Sequence, residues 1–249
     1  MNPQTSSQTN FCLRWKPGDG QALALEVYAL TCRTDFDAPG FCLVNLGSTI
    51  DSVTFRQRMV ELKQAMAAIH ESRTGDTLVY LSAGRFDQQE TTKPHLDAGP
   101  EECFLMLGYE PSLVEAEVEI CDYAKCAFEL GLSPQEFMAK HNPMFCTGYE
   151  MLRPYSTRIP CFSPSDYQII CINNSSAAYS ATNPKWQGTM HTATILAPDE
   201  SQRRVINSTM IATAPAGSDD RVTAADLDEF MHTSQVRRRG YDKQHLEDD

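Results

Sequence analysis

The 249-residue sequence has no apolar run near the ~20 residues that a bilayer-spanning helix needs, so no membrane segment is expected. Its opening residues, MNPQTSSQTN, hold neither a basic stretch nor an apolar block. That argues against a secretory signal and predicts a disordered leader over 1–10. Basic residues are scarce: 21 Lys and Arg stand against 33 Asp and Glu, a net charge of −12. Nucleic acid or an anionic membrane would call for a basic face, so neither is expected as a partner. The short run Arg237-Arg238-Arg239 reads as solvated charge within a flexible tail over 236–249. Nine cysteines are present without CxxC spacing, several inside apolar runs such as FCLV and QIICIN. Reduced, buried thiols in a cytoplasmic protein fit this better than a disulfide framework.

What is present is ordinary globular material, with 41% hydrophobic and 22% charged residues and no internal repeat. A single domain over 11–235 is expected. Residues 53–71 place Val53, Phe55, Met59, Leu62, Met66 and Ile69 on one helical face, and Gly75-Asp76 ends it. TLVYL (77–81) and CFLMLGY (103–109) read as strands, the second fully buried. Ser112 and Glu115 form a capping-box pattern that predicts a helix through about Leu130. Ser133-Pro134 opens another towards His141, giving a helical insertion around 112–141. Strand signals return at 167–173, 189–196 and 203–212, and Thr223 introduces a short helix over 224–231. The sum is α+β, mainly β: a sandwich or barrel braced by helices.

The chemistry-bearing candidates start at TTKPHLDAG (91–99), where His95 and Asp97 stand one residue apart. Of the other histidines, His70 and His141 end helices, where a cation favours the helix dipole. His191 differs, because it sits inside a predicted strand that would hold its ring at a fixed point. Arg203 and Arg204 open the next strand. Arg204 shares a face with Ser208, an even step away, while Arg203 shares one with Asn207. An arginine and a hydroxyl beside a histidine make a pocket for a carboxylate. Two imidazoles and one carboxylate on one face of an iron leave three positions open. Arg85, Gln88 and Lys93, just before the triplet, and Trp186, before the distal strand, are candidate substrate contacts, with a solvated edge and core packing as the alternatives. Cys121 and Cys126, placed in the predicted helix, diverge and suggest no metal or redox role.

The order His95-x-Asp97, His191, Arg204-x-x-x-Ser208 resembles the Fe(II)/2-oxoglutarate-dependent oxygenase superfamily, and within it the phytanoyl-CoA-hydroxylase-like branch, over roughly residues 75–212. The resemblance implies a double-stranded β-helix (jelly-roll or cupin-like) core. It implies that His95, Asp97 and His191 bind Fe(II), and that 2-oxoglutarate chelates the metal and meets Arg204 (Arg203 being the rival) and Ser208. It further implies that O2 takes the remaining site, with release of succinate and CO2. Because Asp97 fills the position that is small in halogenating members, hydroxylation, desaturation or cyclisation is expected rather than halogenation. The expected substrate is a small molecule, such as a free amino acid or a natural-product intermediate. A cupin-like metalloenzyme that does not use 2-oxoglutarate and a catalytically silent binding domain remain the alternatives.

Overall fold

Alternating burial along the strands divides the interior into two layers. The structure, a computed structural model, describes residues 11–16, 18–159 and 163–238. The expected leader over 1–10 and the tail beyond 238 lie outside the described residues. The elements in order are β1 (Cys12–Arg14), α1 (Gly20–Thr31), β2 (Phe41–Gly47), α2 (Ser52–Thr74), β3 (Thr77–Asp87), β4 (Cys103–Tyr109), β5 (Ala116–Cys121), α3 (Tyr123–Glu129), α4 (Pro134–His141), α5 (Cys146–Leu152), β6 (Ser156–Arg158), β7 (Tyr167–Asn173), β8 (Met190–Ile195), β9 (Val205–Ala214), α6 (Ala224–His232) and β10 (Arg237–Arg238).

Seven strands form one sheet in the order β1-β2-β7-β4-β9-β3-β10, antiparallel except at its two edges, and three form another, β6-β5-β8. Along β4, Phe104 and Met106 face α1 and α2, together with Cys42, Cys171 and Ile211 from neighbouring strands. The alternate residues Cys103, Leu105, Leu107 and Tyr109 face the small sheet and meet Val118 and Ile120 of β5. The result is a jelly-roll-like sandwich whose large sheet is covered on its outer side by helices, the mixed α+β architecture expected. α2 buries the stripe Phe55, Met59, Leu62, Met66 and Ile69, and stops where Gly75 takes φ +80°. Among the described residues, no helix is long and apolar enough to cross a membrane. The cysteines whose side chains are described (Cys12, Cys32, Cys42, Cys103, Cys121, Cys126 and Cys171) are free thiols.

Several expectations need correction. The helix predicted from Ser112 does not form. Residues 116–121 are the central strand of the small sheet, bonded to β6 on one edge and β8 on the other. Two strand partners and the inward alternation of Val118 and Ile120 outweigh the local capping pattern. The Ser112 hydroxyl instead donates to the Arg203 carbonyl and accepts from the Val114 N–H. The helical insertion therefore begins only at Tyr123, capped by Asp122. Cys121 accordingly lies on a strand, and only Cys126 on a helix. The strand at 77–81 continues to Asp87 with a bulge between Tyr80 and Ser82. The chain also stays paired past residue 235, since Arg237 and Arg238 lie beside Phe86 and Asp87. His70 is not an exposed helix-end cation. It is buried, with Nδ1 bonded to the Tyr28 hydroxyl at 2.8 Å and Nε2 to the Thr213 hydroxyl at 2.8 Å.

Candidate metal centre

The segment TTKPH is stitched along the free edge of β8. Thr92 N–H donates to the Ala193 carbonyl at 2.9 Å, Ala193 N–H to the Thr92 hydroxyl at 3.1 Å, and Ile195 N–H to the Thr91 hydroxyl at 3.0 Å. Pro94 has no N–H to continue this pairing, and the chain kinks there. It rejoins the strand at His95, which exchanges two backbone hydrogen bonds of 3.2 Å with His191. That exchange sets the two rings 4.3 Å apart, centroid to centroid. Thus the two histidines, 96 positions apart in sequence, are brought together by backbone pairing.

His95 Nδ1 lies 2.7 Å from the Lys93 carbonyl. A carbonyl can only accept, so Nδ1 carries the proton and Nε2 presents its lone pair. Nε2 lies 3.5 Å from Asp97 Oδ1. His95, Asp97 and His191 each offer one ligand atom, all within 4.8 Å of one another. Adjacent ligands on an octahedral ion of ~2.1 Å bond length stand about 3 Å apart, within small side-chain adjustments of this arrangement. Each of the three residues is partly exposed, which leaves access to an ion.

Asp97 is held from behind by the side chain of Asn174, just past the end of β7. The Asn174 amide accepts from Asp97 N–H at 2.9 Å and donates to the Asp97 carbonyl at 2.8 Å. Asn174 is 2% exposed. It continues the buried run of β7, where polar side chains following YQIIC must find partners inside. The same amide lies 3.4 Å from the Cys103 thiol. Burial pushes that thiol's pKa up, the Asn174 contact partly offsets this, and the Asp97 carboxylate adds to the rise.

Arg204 and Ser208 line the same cleft as the three ligands, together with Phe86, Gln88 and Tyr109. The cleft is narrow, about 60 Å³, room for roughly four to six waters. Arg204 is 2% exposed. Nη1 donates to the Gln88 carbonyl at 3.1 Å, and the guanidinium lies 5.1 Å over the Tyr109 ring. Nη2 is buried with no acceptor in hydrogen-bonding geometry. Burial raises the Tyr109 pKa, and the neighbouring Arg204 cation works against the rise. Arg203 is exposed on the other side of the chain, where its carbonyl accepts from Ser112. Geometry therefore puts Arg204, not Arg203, in the cleft with the ligands.

Of the candidate substrate contacts, only Gln88 borders this cleft. Arg85 points to the helix side of the sheet, bonded to Glu110 at 2.9 Å, to Ser52 and to the Ser234 carbonyl. The Lys93 ammonium reaches the Met144 carbonyl. Trp186 is buried in the helix-side core against His70 and Phe104.

No family model matches the sequence, and no curated protein matches it. Among solved structures, the chain is similar to an iron and alpha-ketoglutarate-dependent endoperoxidase, NvfI, in a different conformation. The match has 12% identity and a TM-score of 0.34, over 73% of this chain and 79% of that one. A tryptophan-to-phenylalanine variant of the same endoperoxidase matches at 12% identity and a TM-score of 0.34, over 74% and 80% of the two chains. Likeness this low carries no argument about the site, which rests on its own geometry. Neither structure is named for the phytanoyl-CoA-hydroxylase-like branch.

Proposed function

We propose that the chain is a non-haem Fe(II)/2-oxoglutarate-dependent oxygenase acting on a small molecule, with His95, Asp97 and His191 as the metal ligands. One observation carries the reading. A two-histidine, one-carboxylate cluster shares a narrow cleft with a buried arginine that still has an N–H to give. The donor set suits Fe(II), because imidazole and carboxylate together favour a borderline divalent ion over Ca²⁺ or Mg²⁺.

When bound, the iron and 2-oxoglutarate supply oxidation of a C–H bond by O2, coupled to release of succinate and CO2. The chain's own part is placement. The Lys93 carbonyl fixes the His95 tautomer, so that Nε2 is ready to ligate without a proton to lose. Asn174 holds the peptide of Asp97 and so aims its carboxylate. Arg204, with Nη1 committed to Gln88, offers Nη2 to the distal carboxylate of 2-oxoglutarate, and Ser208 adds a hydroxyl. Removing that carboxylate from water strengthens the pairing. Asp97 keeps three protein ligands on the metal, which supports hydroxylation, desaturation or cyclisation rather than halogenation. The free thiols support a reducing compartment such as the cytoplasm.

Anaerobic titration with Fe(II) and 2-oxoglutarate tests the reading. A weak visible charge-transfer band is expected for wild type and is lost in His191→Ala. Its absence from wild type at saturating metal, or its survival in His191→Ala, would sink the assignment. A band-forming protein whose turnover ignored 2-oxoglutarate would instead favour the cupin-like metalloenzyme.

A further inference from the structure

A second cavity opens on the far side of Asp97 from Arg204, and its chemistry differs from that of the first. The strand registers explain why. Moving along β9 from Arg204, the inward residues are Ile206, Ser208 and Met210. Phe86, Gly84 and Ser82 of β3 lie opposite the last three, and Tyr109, Leu107 and Leu105 of β4 flank them. The arginine thus stands at one end of a graded wall that ends in Ser82, Leu105 and Met210. Asp97, Phe86 and Ser208 border both cavities, so Asp97 stands where they meet, while His95 and His191 line only the arginine cleft.

The second cavity measures about 310 Å³, against about 60 Å³ for the arginine cleft. Asp97 is the one ionisable side chain among the described residues that line it. The nearest cation in sequence, Arg85, is turned to the opposite face and committed to Glu110, Ser52 and Ser234. Gly84 lines the second cavity beside Phe86, and a Cβ there would lie 2.7 Å from the Phe86 ring, which would have to shift.

We infer that this second cavity is the substrate site, and that it takes a neutral molecule whose polar groups are at most hydroxyls or carbonyls. The inference rests on the oxygenase reading for the role of the metal. A charge buried without a partner is costly. Here the one carboxylate is committed to the ion, and nothing on the wall answers a substrate carboxylate, a zwitterion or the phosphates of a CoA thioester. Leu105 and Met210 supply apolar contact, while Ser82 supplies a hydroxyl for an oriented hydrogen bond. This turns the expectation of a free amino acid towards neutral natural-product-like substrates.

Equilibrium dialysis of the full chain with anaerobic Fe(II) and 2-oxoglutarate tests this, with cyclohexanol, cyclohexanecarboxylate and the zwitterion cyclohexylalanine as probes. Cyclohexanol is expected to bind at least about tenfold more tightly than either charged probe. Ser82→Trp, at an exposed strand position that tolerates a large side chain, is expected to weaken cyclohexanol about tenfold. Met210→Ala is expected to shift preference towards the bulkier alcohol borneol. Equal or tighter binding of a charged probe overturns the neutral-substrate inference. Unchanged cyclohexanol binding in Ser82→Trp together with unchanged size preference in Met210→Ala overturns the cavity assignment. The charge-transfer band of wild type is read separately. If it is absent while the probe pattern holds, the oxygenase reading falls and the neutral site stands.

Discussion

Replacing Asn174 by alanine is expected to weaken metal binding far more than its effect on folding alone explains. The side chain makes two hydrogen bonds to the backbone of one residue, Asp97, one to the peptide on each side of its Cα, at 2.9 and 2.8 Å. Each is worth about 1 kcal/mol net, so about 2 kcal/mol of hold on the Asp97 backbone disappears. At about 1.4 kcal/mol per tenfold, a loss expressed wholly at the metal is roughly 30-fold in affinity. That falls inside the ~10–100-fold typical of residues that orient a metal ligand. The neighbouring residue supplies a matched control. Asn173 is equally buried and also makes two backbone hydrogen bonds, donating to the Thr31 carbonyl at 2.9 Å and accepting from Ser175 N–H at 3.1 Å, without touching Asp97. Both alanine variants are expected to melt about 4–8 °C lower, from ~2 kcal/mol at 2–4 °C each in a domain of this size. Only Asn174→Ala is expected to lose metal affinity, read by anaerobic calorimetric titration with Fe(II). The reasoning fails if Asn174→Ala binds within about twofold of wild type, or if Asn173→Ala weakens the metal equally.

Arg204→Ala is expected to weaken 2-oxoglutarate about 100-fold or more in the same band titration, because the distal carboxylate loses a buried charged partner. Arg204→Lys, which keeps charge but not the planar fork, is expected to recover part of that loss; equal titration in all three proteins would remove Arg204 from the co-substrate site. Gly188→Ala places a Cβ 1.9 Å from the Ser175 carbonyl oxygen. Backbone must move just before β8, so a loss of ~2–4 kcal/mol in denaturant unfolding is expected, and wild-type stability would contradict the close packing. Burial lowers the pKa of His70. The unfolded chain then takes up a proton near pH 6.5 while the folded protein does not, so this contribution is complete above about 6.5 and is lost as pH falls towards the depressed folded value. His70→Gln is expected to flatten the decline of Tm between about pH 7 and 5, measured against wild type; parallel declines would show that His70 does not drive it.

The elements legible in the sequence were those whose signal is local and repeated. The α2 stripe, the unbroken apolar run of β4 and the serine–glutamate box at Ser133, which forms in full, each carry their own period or cap. Ser112 shows the limit of such reading, because its capping pattern is as good in letters as that of Ser133. What differs is the pair of strand edges waiting on either side of residues 116–121, a feature of the assembled sheet. The even step from Arg204 to Ser208 correctly placed both in one cleft, since strand alternation continues through the residue before β9. Asn174 was beyond reach for the opposite reason. It acts on a residue 77 positions earlier, and the local signal of an asparagine pair closing a strand is that of a turn. A polar run that stays buried past the end of an apolar strand is the clue that remained, since such groups must be bonded to something.

The distribution of the site residues between the two sheets bears on how the centre is assembled. His191 belongs to β8 of the small sheet, and His95 is bonded to that strand. Arg204 and Ser208 belong to the β9 segment of the large sheet, and Asp97 is held by Asn174 at the end of β7, also in the large sheet. The candidate ligand set therefore straddles the sandwich, and Arg204 and Ser208 stand on one side only. What fixes the gap is the shared interior of Leu105, Leu107, Ile170, Ile172, Val118 and Ile120, all within a few per cent of full burial. Ile120 is also the strand partner of His191. A close-packed interior transmits displacement rather than absorbing it, so the spacing of the ligands is set by this apolar layer as much as by the loop that carries His95 and Asp97. A metal ion gripping both sheets would in turn hold the sandwich closed, because an ion bound only by the folded arrangement stabilises it. On the proposed reading, metal affinity and sandwich stability are for that reason two readings of one equilibrium.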